Sequence, residues 1–161
     1  MTSFGSADGK VLYLVVTAAS GAEGTLDRIA AEQAAGWTVC VVATERSLHW
    51  FDAAAAAELS GHDLQTRMRI HGEPLFEPLG DRVLVTPAGL HSLAKFSLGL
   101  ADDMASGLVI EAIGRRVPVT IEVNVGPGFA GHPAYPEHLR RLADAGVSLV
   151  ARPGGPPLPP F

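Results

Sequence analysis

Nearly continuous apolar runs and helix-forming segments alternate along the chain. The runs at 10–16, 37–43, 81–86, 117–123 and 147–151 are typical of strands buried on both faces of a sheet. The segments that follow them predict helices over 25–35, 47–59, 90–97, 105–113 and 136–145, several of which end at a glycine. The stretch 62–80 is interrupted by prolines and glycines, and predicts irregular backbone with a short extended piece around 68–70.

This alternation predicts an α/β fold, a three-layer, doubly wound parallel sheet of the Rossmann-like or flavodoxin-like kind. We expect a single domain over 1–151 and a proline-rich tail, 152–161, that lies extended over a surface. Ligands of such sheets bind outside the carboxyl ends of the strands. The loops that follow Val16, Ala43, Val85 and Val123 are therefore the predicted site.

Composition narrows the choice of partner and compartment. The chain has 161 residues, of which 47% are hydrophobic, so it can bury one core and leaves little room for a second. A net charge of -5 gives no basic patch for nucleic acid. The single cysteine, Cys40, lies in an apolar run, so no intramolecular disulfide can form, and we expect no metal site. No signal-like or membrane-length apolar segment is present, which predicts a cytoplasmic protein without a membrane partner.

Two of the four loops favour an anion on general grounds. Residues 17–24 are small, hydroxylated and glycine-containing, and they precede a predicted helix whose free N–H groups attract phosphate. On residue types alone, a tight strand-to-helix turn explains this loop equally well. The second loop offers Thr44, Arg46 and Ser47, with Arg46 a candidate phosphate partner. Ser47 is more simply interpreted as a helix N-cap.

The third loop carries a specific resemblance. The sequence from Thr86 to Lys95, closed by the segment from Gly99 to Met104, resembles the P-A-S/T-A-N-T, A-K and G-I-A-D-N-L segments of the homo-oligomeric flavin-containing cysteine decarboxylases. Ordered likenesses extend from about Lys10 to Val150. They include a V-T-G-S-I-like loop that begins at Val16 and a P-A-M-N-like element that ends at Asn124. The chain therefore resembles a divergent member of this family.

The resemblance implies an FMN cofactor and a set of cofactor-binding residues. It implies that the phosphate is surrounded by one group of small and hydroxylated residues: Thr17, Ala19, Ser20, Thr44 and Ser47. It implies that the ring and ribityl chain are lined by a second group, with Asp102 in support: Ala88, Gly89, His91 and Ser92. Family members are trimers or dodecamers of trimers with FMN between subunits, so a homo-oligomer is implied as well.

The chain departs from the family at several positions. His91 and Asp103 each stand where the family has asparagine. The family's spacing puts the catalytic histidine at Glu73, and the nearest histidine is His71, so either residue is a candidate base. A solvated surface histidine is the simpler interpretation of His71. Asn124 keeps the asparagine of P-A-M-N, a group that can bind a substrate carboxylate, but both neighbouring methionines are replaced.

Three functions remain open at this point. The first is FMN-dependent oxidative decarboxylation of a small-molecule or peptide substrate that contains cysteine. A reaction that stops at the enethiol fits best, because Cys40 is predicted inside a strand and cannot serve a second half-reaction. The second is a flavin-binding or partner subunit without decarboxylase activity. The third is a flavin prenyltransferase-like protein. The glycine-serine loop and the basic prenyl-phosphate site expected of that family are not apparent in this sequence.

Overall fold

A single five-stranded parallel sheet organises the molecule, and the computed structural model describes residues 4–5, 8–73, 78 and 80–161 of it. The strands are β1 (Val11–Val16), β2 (Thr38–Ala43), β3 (Arg82–Ala88), β4 (Val119–Val123) and β5 (Ser148–Ala151). Their order is β2-β1-β3-β4-β5, and every neighbouring pair is parallel. The predicted doubly wound α/β fold is confirmed, in its flavodoxin-like strand order.

Helices cover both faces of the sheet. They are α1 (Thr25–Ala34), α2 (Ala53–Ser60), α3 (Leu90–Leu98), α4 (Met104–Gly114), α5 (Pro127–Ala130) and α6 (Ala134–Asp144). Alternate β1 side chains enter two separate cores, because successive strand residues point to opposite faces. Leu12 and Leu14 pack with α1 and α2, whereas Tyr13 packs with α3, α4 and α6. Both faces are thus buried, which explains the continuous apolar runs.

The predicted helix 47–59 is wrong in its first half. The chain forms a short 3₁₀ helix at Glu45–His49, and α2 begins only after Asp52, whose side chain accepts from the Ala55 amide. Thr44 caps the 3₁₀ helix by accepting from the Ser47 amide, so Ser47 is not the N-cap that was expected. Two short capped helices replace one long helix because both Thr44 and Asp52 are good N-cap residues.

Other boundaries differ by a few residues. β3 runs two residues beyond the predicted end, to Ala88, and the turn expected near 126–128 contains the short helix α5 with Pro127 in its first turn. No strand forms at 68–70; the isolated bridges within 62–80 join Gln65 to Val42 and Gly80 to Phe4 instead. Pro74, one of the residues that predicted irregular backbone, lies outside the described residues.

The topology determines where a site can form. β1 connects to β2 on one side, whereas its other neighbour, β3, connects to β4 on the opposite side, so a crevice opens between the loops at the carboxyl ends of β1 and β3. Within the described ranges, no helix is both long enough and apolar enough to cross a membrane.

Candidate functional site

A cleft of about 700 Å³ lies at the carboxyl ends of β1, β2 and β3. The residues that directly follow these strands line its walls: Thr17 and Ala18 after β1, Thr44 after β2 and Gly89 after β3. This volume lies within the usual range of cofactor sites, roughly 300–1,000 Å³. The cleft therefore forms at the switch point that the topology predicts.

Buried hydroxyl groups hold the strand ends around the cleft. The Thr17 hydroxyl donates to the Pro87 carbonyl over 2.7 Å, in a bond that is buried and joins β1 to β3. Ser47 is fully buried, and its hydroxyl donates to the Thr44 carbonyl over 2.7 Å. A buried hydroxyl that keeps a hydrogen bond stabilises its loop, whereas one without a partner would cost about 1–3 kcal/mol. Thr17 and Ser47 thus fix two walls of the cleft.

The third wall is the beginning of α3. Gly89 is the N-cap of this helix and offers no side-chain acceptor to its first amides. His91 and Ser92 follow within the first turn, and both line the cleft. Free N–H groups at a helix N-terminus attract anions. Ala88 is buried at the end of β3, and a methyl group placed on Gly89 would lie 3.6 Å from the Ala19 side chain. The β1 and β3 loops therefore meet closely here.

An ion-pair cluster closes the wall beyond α3. The Lys95 ammonium lies 2.7 Å from a carboxylate oxygen of Asp102 and 2.7 Å from one of Asp103. Burial lowers the pKa of Lys95, and its hydrogen bonds to these two carboxylates raise it by more. Asp103 also caps α4, since its Oδ1 accepts from the Ser106 amide over 2.7 Å. The cluster pairs one cation with two acids that line the cleft and fixes the start of α4.

The first loop is already hydrogen-bonded within itself. The Glu23 carboxylate accepts from the Gly21 amide over 2.8 Å, and the hydrogen bonds it receives from the backbone amides of Glu23 and Gly21 lower its pKa. The Ser20 carbonyl accepts from the Asn124 side chain. Thr17 and Ala18 line the cleft, but Ala19 and Ser20 do not. The part of this loop that faces the cleft is therefore its beginning.

Asn124 lies at the end of β4, outside the residues that line the cleft. Its backbone amide donates to the Ala88 carbonyl, and its side-chain Nδ2 donates to the Ser20 carbonyl over 2.5 Å. A primary amide has two N–H donors, so one of them remains for another acceptor. In this conformation Asn124 joins the β1, β3 and β4 loops.

The segment 62–73 forms the outer wall, and the two candidate bases lie at its end. Thr66, Arg67 and Met68 line the cleft, whereas His71 is exposed and is not among the lining residues. Glu73 pairs with Arg67 through two hydrogen bonds of 3.1 and 2.6 Å. These bonds, with one from the Ile70 amide, lower the pKa of Glu73 to about 2.

Sequence reasoning missed part of the lining. His49 and Trp50 lie at the end of the 3₁₀ helix and just after it and line the cleft, and Trp50 is 41% exposed. Treating 47–59 as one helix placed His49 and Trp50 inside that helix and removed them from the loop. The capping residue Asp52, three residues before Ala55, was the available signal for a later helix start.

The cleft, its position at the switch point and its mixture of small, hydroxylated and cationic residues define a cofactor-binding α/β protein. The model of the Flavoprotein family matches residues 3–158. The chain belongs to this family, and the expected flavin class is thereby confirmed. None of the curated proteins matches the sequence significantly.

Solved structures with the same fold include three informative examples. A mutant PPC decarboxylase complexed with pantothenoylaminoethenethiol is 20% identical, with a TM-score of 0.71 over 88% of this chain and 81% of that chain. The FMN-dependent cysteine decarboxylase TvaF from thioviridamide biosynthesis is 17% identical, with a TM-score of 0.77 over 88% of this chain and 89% of that one. AnUbiX in complex with FMN and dimethylallyl pyrophosphate is 16% identical, with a TM-score of 0.74 over 94% of this chain and 80% of that one. At such identities the likeness shows the fold, and the chain is a divergent member of its family.

The residues present fit a flat, anionic cofactor. The walls at the strand ends carry small side chains, which let a planar ring approach the backbone, and the α3 amides carry no side-chain cap. Arg46 adds a positive charge to the same cleft, while Lys95 pairs with the Asp102 and Asp103 carboxylates and offsets part of their charge. Both features favour a phosphate-bearing ligand.

Proposed function

We propose that the chain binds FMN in this cleft and oxidatively decarboxylates a substrate that contains cysteine. The observation that carries the proposal is the cleft itself: it lies at the switch point, is lined by the α3 N-terminus and Arg46, and is bordered by two acids that pair with Lys95. Family membership supports a flavin. Neighbours described as FMN-binding or FMN-dependent support FMN in particular.

We assign the cofactor contacts to two groups of residues. Thr17, Thr44, Gly89, His91 and Ser92 line the cleft and would contact the cofactor directly. The remaining assigned residues would support the walls: Ala19, Ser20, Ser47, Ala88 and Asp102. The first four lie outside the lining, whereas Asp102 lines the cleft at its rim, where its side chain is 68% exposed.

Bound FMN would supply the two-electron acceptor for oxidation of the cysteine thiol to a thioaldehyde. The carboxylate beside the new C=S group then leaves as CO2, and its bonding electron pair gives the enethiolate. The protein must bind the substrate carboxylate, orient the thiol and take up its proton. Asn124 is our candidate for the carboxylate, through the N–H that its bond to Ser20 leaves free.

His71 is our candidate base. Glu73 is less suitable, because a carboxylate whose pKa is lowered to about 2 by Arg67 accepts a proton poorly near neutral pH. His71 is exposed and lies outside the cleft lining of its own chain. We therefore propose that it serves the cleft of a neighbouring copy in a homotrimer or an assembly of trimers.

Anaerobic mixing tests the reaction directly. The FMN-loaded protein is mixed with a peptide that ends in cysteine, and with a matched peptide that ends in serine. We expect the cysteine peptide alone to bleach the visible flavin absorbance and, in air, to lose the mass of one CO2 and two hydrogens. A flavin that stays oxidised at every concentration of cysteine peptide would contradict the decarboxylase proposal.

Mixed oligomers test the role of His71 across subunits. The His71→Ala chain keeps an intact FMN cleft but lacks the candidate base, whereas the Lys95→Met chain keeps His71 but is expected to bind FMN weakly. At limiting FMN, neither homo-oligomer therefore has a complete site. Random mixing restores roughly a quarter of the sites if each site uses two chains. Activity that stays at the level of the separate variants would show that His71 does not act in a neighbour's cleft.

A second candidate is a flavin-binding partner subunit without decarboxylase activity. It is favoured by one observation: at the position that the family's spacing assigns to the base, Glu73 is engaged by Arg67. The anaerobic experiment separates the two candidates, because only the subunit would bind FMN and leave it oxidised with every thiol.

A further inference from the structure

The C-terminal turn, residues 152–155, packs against the loop that follows β1. The Arg152 side chain donates through Nη2 to the Gly21 carbonyl over 3.2 Å. The two residues are 131 positions apart, so the bond joins the tail of the chain to its first loop. The Arg152 amide also donates to the Val123 carbonyl at the end of β4. The tail is thus attached to the loop whose first residues, Thr17 and Ala18, line the cleft.

Gly21 is shaped for this contact. Its φ angle is +109°, a conformation that side chains rarely adopt. A methyl group on Gly21 would lie 2.3 Å from the Arg152 guanidinium, so the guanidinium occupies the space that a side chain would need. The backbone of the first loop and the Arg152 side chain therefore fit each other closely.

The turn itself has the sequence that its geometry requires. Pro153 and Gly154 occupy its two central positions, and Gly154 has a φ of +76°, the combination that a type II turn prefers. The Gly155 amide donates to the Arg152 carbonyl over 2.8 Å. A methyl group on Gly155 would meet the Asn124 Oδ1 at 3.2 Å. The turn is packed against the same asparagine that bonds the Ser20 carbonyl.

Two adjacent carbonyls of the first loop are therefore held from outside the loop, Ser20 by Asn124 and Gly21 by Arg152. The other end of the loop is fixed by the buried bond from Thr17 to Pro87. Beyond the turn, Leu158 packs against the core on the α3, α4 and α6 side. The tail is attached to the domain at several points.

We infer that Arg152 is a positioning residue for flavin binding: by holding Gly21, the C-terminal turn fixes the first loop and so sets the affinity for FMN. The inference rests on the proposed function for its cofactor, but the loop contact itself does not. Arg152 acts through the backbone, since it lies outside the lining of the cleft.

Hydrogen exchange on the apo protein tests the contact without any flavin. Arg152→Ala should raise exchange at the amides of Ala22 and Gly24 by about tenfold, because it removes the charge-assisted hydrogen bond to the Gly21 carbonyl. Arg152→Lys, which keeps a cationic donor, should recover part of this protection. Arg140→Ala, an exposed arginine on α6, is the matched control and should match the parent protein.

FMN titration by fluorescence quenching then tests the consequence. Arg152→Ala and Gly155→Ala should each raise the Kd about fivefold or more, with the lysine variant intermediate and the Arg140 control unchanged. Unchanged loop exchange, or faster exchange with a Kd within about twofold of the parent, would overturn the inference. If the parent protein binds no FMN, the proposed function fails, and the exchange data still decide the contact.

Discussion

Two walls of the cleft are built in contrasting ways. The inner wall, at the ends of β1, β2 and β3, rests on buried strands, and the Thr17 and Ser47 hydroxyls and the Asp103 carboxylate are paired within the domain. The outer wall, residues 62–73, has one bridge to the sheet, at Gln65, and ends in an exposed ion pair between Arg67 and Glu73. The first arrangement can hold a cofactor in one geometry. The second can diverge in sequence with little effect on the fold.

This difference explains how the position of the base can depart from the family's spacing. A change on the inner wall must preserve packing, so flavin-binding loops remain recognisable there. A change on the outer wall costs little stability, because exposed ion pairs contribute about 0–1 kcal/mol at most sites. The position of the base can therefore shift from the family's spacing while the cofactor site is retained.

The largest expected effect is on turnover, from the outer wall. His71→Ala should lower kcat about 100-fold or more, the usual contribution of a general base, while the FMN Kd stays within about twofold. Stopped-flow measurement of flavin reduction and FMN titration check the two parts. His62→Ala, at another position in the same segment, is the control. An unchanged kcat would remove His71 as the base.

On the inner wall, Lys95→Met should act on the cofactor instead. It leaves Asp102 and Asp103 without their cation, and two acids at the cleft oppose a phosphate-bearing ligand, so we expect a rise of about 10- to 100-fold in the FMN Kd. The chain's other lysine, Lys10, is exposed, and Lys10→Met is the matched control. Equal FMN affinities for the two variants would contradict the account of this wall.

Two substitutions of Asp103 separate its role as the N-cap of α4 from its charge interaction with Lys95. Asp103→Ala should lower the free energy of unfolding by about 1–2 kcal/mol, because α4 loses its N-cap, whereas Asp103→Asn keeps the cap and should lose less. Denaturant titrations of both variants measure the difference. Equal losses would show that the ion pair with Lys95 dominates.

Asp103 also makes the free energy of unfolding depend on pH. Burial raises the pKa of Asp103, but its hydrogen bonds from Lys95 and from the Ser106 amide hold it below the usual 3.8. A depressed pKa adds stability above the unfolded value, and this stability is lost as pH falls through the folded value. The gap between the parent and Asp103→Asn should therefore narrow from about pH 6 to about pH 3. A gap that widens on acidification would contradict this sign.

The smallest expected effect comes from Glu73→Gln. The Arg67 pair is exposed, so its loss should leave the thermal midpoint and the FMN Kd unchanged within error, and kcat within about twofold. Turnover and titration on the same preparation check this. A loss of turnover comparable to that of His71→Ala would make Glu73 the base in spite of its low pKa.

The pattern of apolar and polar residues along the chain predicted the fold well and the site in part. β1 is buried at all six positions, and such a run needs no tertiary information to be recognised as a central strand. The helix boundary near Ser47 failed because three hydroxyl or carboxylate residues, Thr44, Ser47 and Asp52, compete as caps within one short stretch. Propensity does not decide among them; the backbone geometry does.

The contacts that complete the site are distant in sequence. Asn124 bonds a carbonyl 104 residues away, and Arg152 one 131 residues away. The proline-rich tail was predicted only as an extended segment, because nothing in its composition indicates that a turn at its start meets the first loop. Such contacts depend on strand order, and the order of β3, β4 and β5 is a property of the whole sheet.

The most direct test of the central claim is an experimental structure of the protein with FMN bound. We predict the flavin in the cleft at the ends of β1, β2 and β3, in contact with Thr17, Gly89 and His91, with Lys95 still paired to Asp102 and Asp103. Ordered FMN elsewhere, for example in the smaller cavity of about 310 Å³ beside Arg28 and Glu122, would contradict it.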